Sequence, residues 1–446
     1  MTKLEFGMAT RDITPRYPVW AHGYANRTSP SSGVRESLSL GCLAASNGEN
    51  QILIFALDMI GVQSDVCEEL YTLLKQETGV GYPNILISGS HTHFAPALHE
   101  TTSSEPEIAF VDPNPSYVNE FKQKMTEAAK EALDNLHPMS IETARLPVPQ
   151  VLFNRRTVRK SDGMVEMNLL YPNDPTPYTF SPVDDELTVL RLANEDGYQS
   201  VLLNFSCHPV TGCSPDEDYY RFSADYPYYA RKTISQAWQC PVLFTLGAAG
   251  DAVPINRRGD CREQIGGILG QTTILAERLF QKDMSTSLSA DSIVVETETI
   301  VKTDLETAEA EYKSARQKVL EKSKKTGETY HQLRNKFRDK MMVCSRARQY
   351  PTNKARINIQ FIQVGQTIFV GLPFEVLAEI GLKMKQQFPN SLLVSCCGGY
   401  QGYLPLAYEY DRVGYEATSS STHFVAGTAD RILELILERL EEDTIT

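Results

Sequence analysis

Two histidines spaced i, i+2, in Ser90-His91-Thr92-His93, directly follow the apolar run Asn84 to Ser88. Alternate residues of an extended chain point the same way, and α/β proteins gather their sites beyond the carboxyl ends of strands. Imidazoles so placed hold one metal ion together, or one binds while the other donates a hydrogen bond. A pair of polar surface histidines is the plain alternative. A third histidine repeats the arrangement in Asn204-Phe205-Ser206-Cys207-His208-Pro209, again past an apolar run, in a chain with only eight histidines. Zinc commonly takes imidazoles with a carboxylate and leaves a position for water, so an acidic partner is needed. Glu375 in Gly371-Leu372-Pro373-Phe374-Glu375 and Asp251 in Gly247-Ala248-Ala249-Gly250-Asp251 are candidates, unless each is an ordinary carboxylate at a helix start. Arg155, in Asn154-Arg155-Arg156-Thr157, is placed to bind either a substrate oxygen or a carboxylate of the protein.

Several other chemistries are excluded. The stretch Gly247 to Pro254 has no Gly-Lys-Ser/Thr and is not a phosphate-binding loop. The chain contains no Gly-x-Ser-x-Gly elbow for a serine hydrolase. The nine cysteines, at 42, 67, 207, 213, 240, 261, 344, 396 and 397, show no C-x-x-C spacing and read as reduced thiols of a cytoplasmic protein. The adjacent pair Cys396-Cys397 reads as two small residues at a buried strand end.

The elements that must position these groups follow from the apolar pattern. Short continuous runs at Gln51 to Leu57, Asn84 to Ser88, Leu187 to Leu192, Gln199 to Phe205 and Pro241 to Thr245 predict buried strands. Helical spacing predicts helices over Val66 to Glu77, Pro115 to Asn135, Cys261 to Lys282, Phe374 to Gln387 and roughly 425–441. Ile357 to Val364 and Thr367 to Val370, joined by Gly365-Gln366, predict a hairpin. Residues 304–348 are rich in Glu, Lys, Arg and Ala around Lys324-Lys325-Thr326-Gly327, and read as a charged helical hairpin excursion into solvent. The 446 residues, 41% hydrophobic and 22% charged, are those of a folded α/β chain. A net charge of −13 repels phosphate backbones and anionic headgroups, so neither nucleic acid nor a stable membrane association is expected. Mean hydropathy is −0.30, and no apolar stretch nears the roughly 18 residues of a membrane span.

Seven segments in order resemble the catalytic domain of the neutral/alkaline non-lysosomal ceramidase family. They are Gly7 to Pro15, Ser90 to Pro96, Phe153-Asn154-Arg155, Asn204 to Pro209, Gly247 to Asp251, Leu372 to Glu375, and Tyr403 through Tyr415 to Thr418. The resemblance implies a layered α/β domain over residues 1–446, with two packed mixed sheets flanked by helices. It also implies a zinc amidase with one zinc ion per chain, held by His91, His208, Glu375 and Tyr403. His93, Arg155 and Tyr415 then correspond to residues that touch the scissile carbonyl or the developing oxyanion, and Asp251 is a candidate proton shuttle beside Glu375. Spacing alone reads the two tyrosines as core or surface aromatics.

Two departures from the family pattern bear on the reaction. Where the family places a serine before proline, this chain has Val253, so zinc-bound water is the expected nucleophile. The chain ends soon after the tyrosine motif, where secreted ceramidases continue into an immunoglobulin-like domain, and it opens without an export-type leader. The expected substrate is therefore a small polar N-acyl amide, with ceramide itself, an ester or a lactone as alternatives. The rival readings are a binuclear amidohydrolase using both His91 and His93, and a non-catalytic homologue that retains a ligand pocket. Oligomeric state is open.

Overall fold

The computed structural model describes residues 4–195, 197–212, 217–322 and 325–445; Cys213 and Lys324 lie outside the described residues. The continuous apolar runs form strands at Gln51–Leu57, Ile85–Gly89, Glu186–Asn194, Gly197–Phe205 and Val242–Leu246. Leu53, Ile54, Phe55, Leu86, Leu202 and Leu243 are almost fully removed from water, as strands covered on both faces require.

Among the described residues the larger sheets number three where two were expected, because the chain beyond residue 287 builds a sheet of its own. The first orders Ile85–Gly89, Gln51–Leu57, Ser39–Ser46, Glu5–Asp12 and His137–Pro138. The second orders Val242–Leu246, Gly197–Phe205, Glu186–Asn194, Ser140–Pro147 and Gln281–Asp283. The third orders Leu288–Glu298, Lys354–Val364, Thr367–Gly371 and Ser391–Val394, and contains the expected hairpin. Each sheet is mixed, with a single parallel pair at one edge. One apolar cluster takes Leu43, Ile54 and Leu86 from the first sheet, Leu190 and Leu243 from the second, and Ile362 and Phe369 from the third, so the sheets share a core.

Among the described residues eight α-helices surround them: α1 Ser64–Thr78, α2 Pro115–Asp134, α3 Tyr226–Trp238, α4 Cys261–Leu275, α5 Leu305–Leu320, α6 Glu328–Gln349, α7 Ala378–Gln387 and α8 Thr428–Ile445. Helix α4 ends earlier than its pattern predicts, because Gln281–Asp283 leaves it to pair with Ser140–Pro147. Helix α7 starts later than expected, since Glu375–Val376 is extended and pairs in parallel with Tyr403–Leu404.

The charged hairpin is α5 and α6, and it is no solvated excursion. Ala308, Tyr312, Phe337, Met341 and Cys344 bury a core between the two helices that also takes in Ala109. Arg334 pairs with Glu105, and Arg348 reaches Glu100 at 3.0 Å, so the hairpin lies against the loop that follows His99. The eight described cysteines are buried and free.

Candidate metal centre and catalytic site

The parallel edges of the three sheets end together, and the segments just beyond those ends build the site. His91 comes after Ile85–Gly89, His208 after Gly197–Phe205, Glu375 after Thr367–Gly371 and Tyr403 after Ser391–Val394. Backbone hydrogen bonds lock these ends to one another: Ser395 N donates to Leu246 O (2.8 Å) and Gly89 N to Cys396 O (3.2 Å). A Cβ at Gly89 would lie 2.8 Å from Met59 O, so only glycine lets the strand end this tightly. His91 then takes φ +66, a left-handed conformation that costs a β-carbon residue roughly 1–2 kcal/mol and redirects its ring.

The rings converge on one carboxylate oxygen. His91 Nδ1 lies 2.6 Å from Ile60 O and His208 Nδ1 lies 2.5 Å from Ala249 O, so in each ring Nδ1–H donates to a carbonyl. That tautomer leaves both Nε2 atoms as acceptors, and they lie 3.1 Å (His91) and 2.9 Å (His208) from Glu375 Oε2. Lone pairs facing a carboxylate at such distances need a positive charge among them, which a proton or a metal ion supplies. Burial disfavours an imidazolium at His91, yet Glu375 beside it outweighs burial and raises its pKa well above the ordinary value. His208 is pushed down to about 4 by burial. Burial opposes the charge on Glu375 too, but His91 and His208 hold its carboxyl well below the usual range.

His93 Nε2 is 3.4 Å from His91 Nε2, and the coordinating atoms of His91, His93 and His208 all lie within 4.8 Å of one another. The three histidines form a cluster able to hold a metal ion. His93 packs directly on Gly23, where a Cβ would come within 2.7 Å of its ring. Its Nδ1 is buried without a partner.

Glu375 and Tyr403 are register partners, so their side chains leave the paired strands side by side. The Tyr403 hydroxyl accepts from Arg155 Nη2 at 2.9 Å, and Arg155 also donates to Gly250 O (2.9 Å) and, through Nε, to Glu416 (2.8 Å). Glu416 receives Arg156 on its other oxygen at 2.7 Å, and Arg156 in turn pairs with Glu409. Arg155 thus meets a tyrosine and a carboxylate of the protein at once. The rings of Tyr403 and Tyr415 stand edge to face at 5.5 Å, and Tyr415, 42% exposed, borders the cavity above the histidines.

Arg155, held by Gly250, Tyr403 and Glu416, does not border the cavity, and Asp251 is likewise engaged elsewhere. Its Oδ2 accepts from Asn154 Nδ2 (2.7 Å) and its Oδ1 from Ala378 N (2.8 Å), at the start of α7. With both oxygens so engaged it holds the loop carrying Glu375 to the strand before Arg155, and it does not border the cavity. Val253 is fully buried against Phe153 and Val210.

Other residues of the site escaped the sequence reading. Tyr400 donates its hydroxyl to Glu375 Oε1 at 2.5 Å, and Cys396 Sγ lies 3.3 Å from His91 Nδ1. His22, His99 and His423 border the same cavity of about 180 Å³. Six of the eight histidines thus meet at one place, and their scarcity elsewhere was the available signal. A wider cavity of about 540 Å³ opens outward from it, sharing His22, Thr101, Met342, Tyr415 and Ser420. Helix α6 walls both, through Asn335, Arg338, Asp339 and Met342 outside and Ser345 and Arg346 inside.

The fold is shared with known proteins. The crystal structure of neutral ceramidase from Pseudomonas aeruginosa is similar at 14% identity, with a TM-score of 0.71 over 98% of this chain and 74% of that one. A ceramidase complexed with C2 is similar to the same extent, with a TM-score of 0.72 at 14% identity over 98% and 74% of the two chains. No curated protein sequence matches the chain. The family model described as neutral/alkaline non-lysosomal ceramidase, N-terminal, matches residues 4–338, and the chain therefore belongs to this family of amide-bond hydrolases.

Proposed function

We propose that the protein is a zinc-dependent hydrolase of a small polar N-acyl amide, with the ion held by His91, His208, Glu375 and Tyr403. The observation that carries this reading is the convergence of two Nε2 acceptors on Glu375 Oε2, a donor set of nitrogen and oxygen that suits zinc. An ion so bound supplies a Lewis acid for the amide carbonyl and a water whose pKa falls towards about 7. In the net reaction the amide C–N bond breaks, a C–O bond forms to water oxygen, and the nitrogen leaves with the proton.

This chain's own side chains do the rest. Arg155 holds the Tyr403 oxygen in place and keeps positive charge beside the site. Tyr415, at the cavity edge, donates to the carbonyl oxygen as it gains charge; losing such a donor costs about 10²–10³ in rate. His93 is kept neutral by burial, which lowers its pKa well below the usual value, so its ring carries one N–H and one lone pair. Tyr400 and the carbonyls of Ile60 and Ala249 orient the coordinating atoms. Val253 removes any hydroxyl nucleophile from its position.

The substrate class rests on the cavity wall. Asn335, Arg338, Asp339 and Ser104 line the outer chamber together with Ala21, Tyr24, Ala25, Met341 and Met342, a mixed wall that accepts a polar group beside a short acyl chain. Among the described residues no helix is long and apolar enough to cross a membrane. The deciding experiment is elemental analysis of the purified wild type beside His91→Ala and His208→Ala. About one zinc per chain, lost in both variants, is expected, together with faster turnover of short N-acyl amides than of ceramide. A wild type that takes up no metal when zinc is supplied overturns the reading, and two metals per chain turn it towards a binuclear enzyme.

A further inference from the structure

The inner cavity contains a cation with no anion. Arg346, on α6, is partly buried, and its Nη2 donates to Ser420 O at 3.0 Å. Its Nε is shut off from solvent with no acceptor, and no carboxylate pairs with it among the described residues. On the same helix Arg334 is matched by Glu105 and Arg348 by Glu100, while Arg338 lines the outer chamber rather than the inner one. That second pairing matters, because Glu100 also borders the cavity and is the other carboxylate there besides Glu375. Glu100 is thus taken by Arg348 and Glu375 by the histidines, leaving Arg346 uncompensated.

Burying a guanidinium beside neutral groups alone is costly, and burial indeed pushes the Arg346 pKa down to about 10, with Tyr350 only partly opposing it. At Arg155 burial acts the same way, yet Tyr403 and Glu416 outweigh it and raise the pKa. A site that keeps an unpaired cation facing a cavity is built to receive its partner from outside. Arg346 lies beyond residues 4–338, the segment matched to the family, and on the helix that walls both chambers.

We propose that Arg346 is a specificity-determining residue that pairs with a carboxylate carried by the substrate, so that the amide hydrolysed is an N-acyl amino acid or a similar N-acyl acid. A planar guanidinium fork fits a carboxylate with two parallel hydrogen bonds, and a single cation balances a single negative charge. This inference rests on the amidase reading, so its test separates the two.

The full-length zinc-loaded protein is assayed with N-acetylglycine, N-acetyl-β-alanine and N-acetyl-γ-aminobutyrate beside the N-acetyl amino alcohols of equal length. Binding is measured by calorimetry with ketone analogues of both series, in which CH2 replaces the amide NH so that no turnover occurs. In the wild type one acid is expected to exceed its alcohol at least tenfold in kcat/KM and in affinity. Arg346→Gln lowers both values for the acid by about 30-fold or more and leaves the alcohol within twofold. Arg346→Lys, which keeps the charge, retains part of the preference and stands in if the Gln variant does not fold. Zinc content and melting temperature are recorded for each protein. Equal losses for acid and alcohol, or no change in the acid-to-alcohol ratio, overturn the assignment. Arg346-dependent binding of the keto acid without hydrolysis of any amide upholds Arg346 and overturns the amidase reading instead.

Discussion

Glu375 and Tyr403 face each other across a parallel pairing only two residues long, Glu375–Val376 against Tyr403–Leu404. Between them the chain makes helix α7, crosses the third sheet as Ser391–Val394 and turns through Gly398, Gly399 and Gly402, all at positive φ. The short pairing brings a carboxylate and a phenol to the same side of the backbone. It also explains why Glu375 is not a helix-start carboxylate: Asp251 accepts from the first amide of α7 instead.

Under the proposed function, metal affinity is expected to depend on this carboxylate and on the hydroxyl behind it. Glu375→Gln leaves two buried imidazole acceptors around a neutral amide and abolishes tight zinc binding. Tyr400→Phe removes the hydrogen bond to Oε1 and is expected to weaken affinity about 10–100-fold, the range for orienting partners of a ligand. Titration against a competing chelator measures both, and a Tyr400→Phe protein with wild-type affinity would show that Glu375 needs no such support.

Tyr415 is expected to act on the transition state rather than on the ground state. Tyr415→Phe keeps the ring against Tyr403 and removes only the hydroxyl, so kcat falls about 10²-fold while KM and zinc content hold. Steady-state kinetics on a cleaved N-acyl amide read this directly; a rise in KM at constant kcat assigns Tyr415 to substrate binding.

Glu416 is fully buried between Arg155 and Arg156, each at hydrogen-bond distance. Glu416→Gln leaves two buried guanidinium groups short of charge and is expected to destabilise the fold by about 3 kcal/mol or more. Glu298→Gln, which breaks the exposed, solvent-screened pair with Lys302, should change stability far less. Urea unfolding of the two variants compares them, and equal midpoints refute the role given to Glu416.

Acid should unfold the metal-free protein. Burial holds His99 to about 4 and pushes His22 and His423 well below their usual value, while unfolded histidine titrates near about 6.5. Between these values the unfolded chain binds more protons, so stability falls as pH drops through that window. Asp251 works in the opposite sense: burial raises it to about 6, so its contribution is present below about 4 and is lost as pH rises through about 6. Urea midpoints from pH 7 to 4 should fall less steeply in His99→Gln and more steeply in Asp251→Asn than in the wild type, each by on the order of 2 kcal/mol.

Much of this protein was legible in its residues taken in order. Continuous apolar runs marked the buried strands because a strand covered on both faces has no polar side to show, and His91 and His208 stood out because each follows such a run. Local pattern could not show what α6 covers. Its Glu, Lys and Arg content reads as solvated, yet Arg334 and Arg348 meet the loop after His99 and Arg346 turns into the cavity. Nor could spacing tell Asp251 from Glu375, since each is a carboxylate just past a strand and only the third sheet's packing decides which one faces the imidazoles. Hydrophobic periodicity is a property of neighbours along the chain, so it determined where strands and helices form, while tertiary pairing set where α4 ends and α7 begins. Which ends meet depends on the joining of the three sheets over one core, and that long-range packing alone brought His91, His208, Glu375 and Tyr403 to one place.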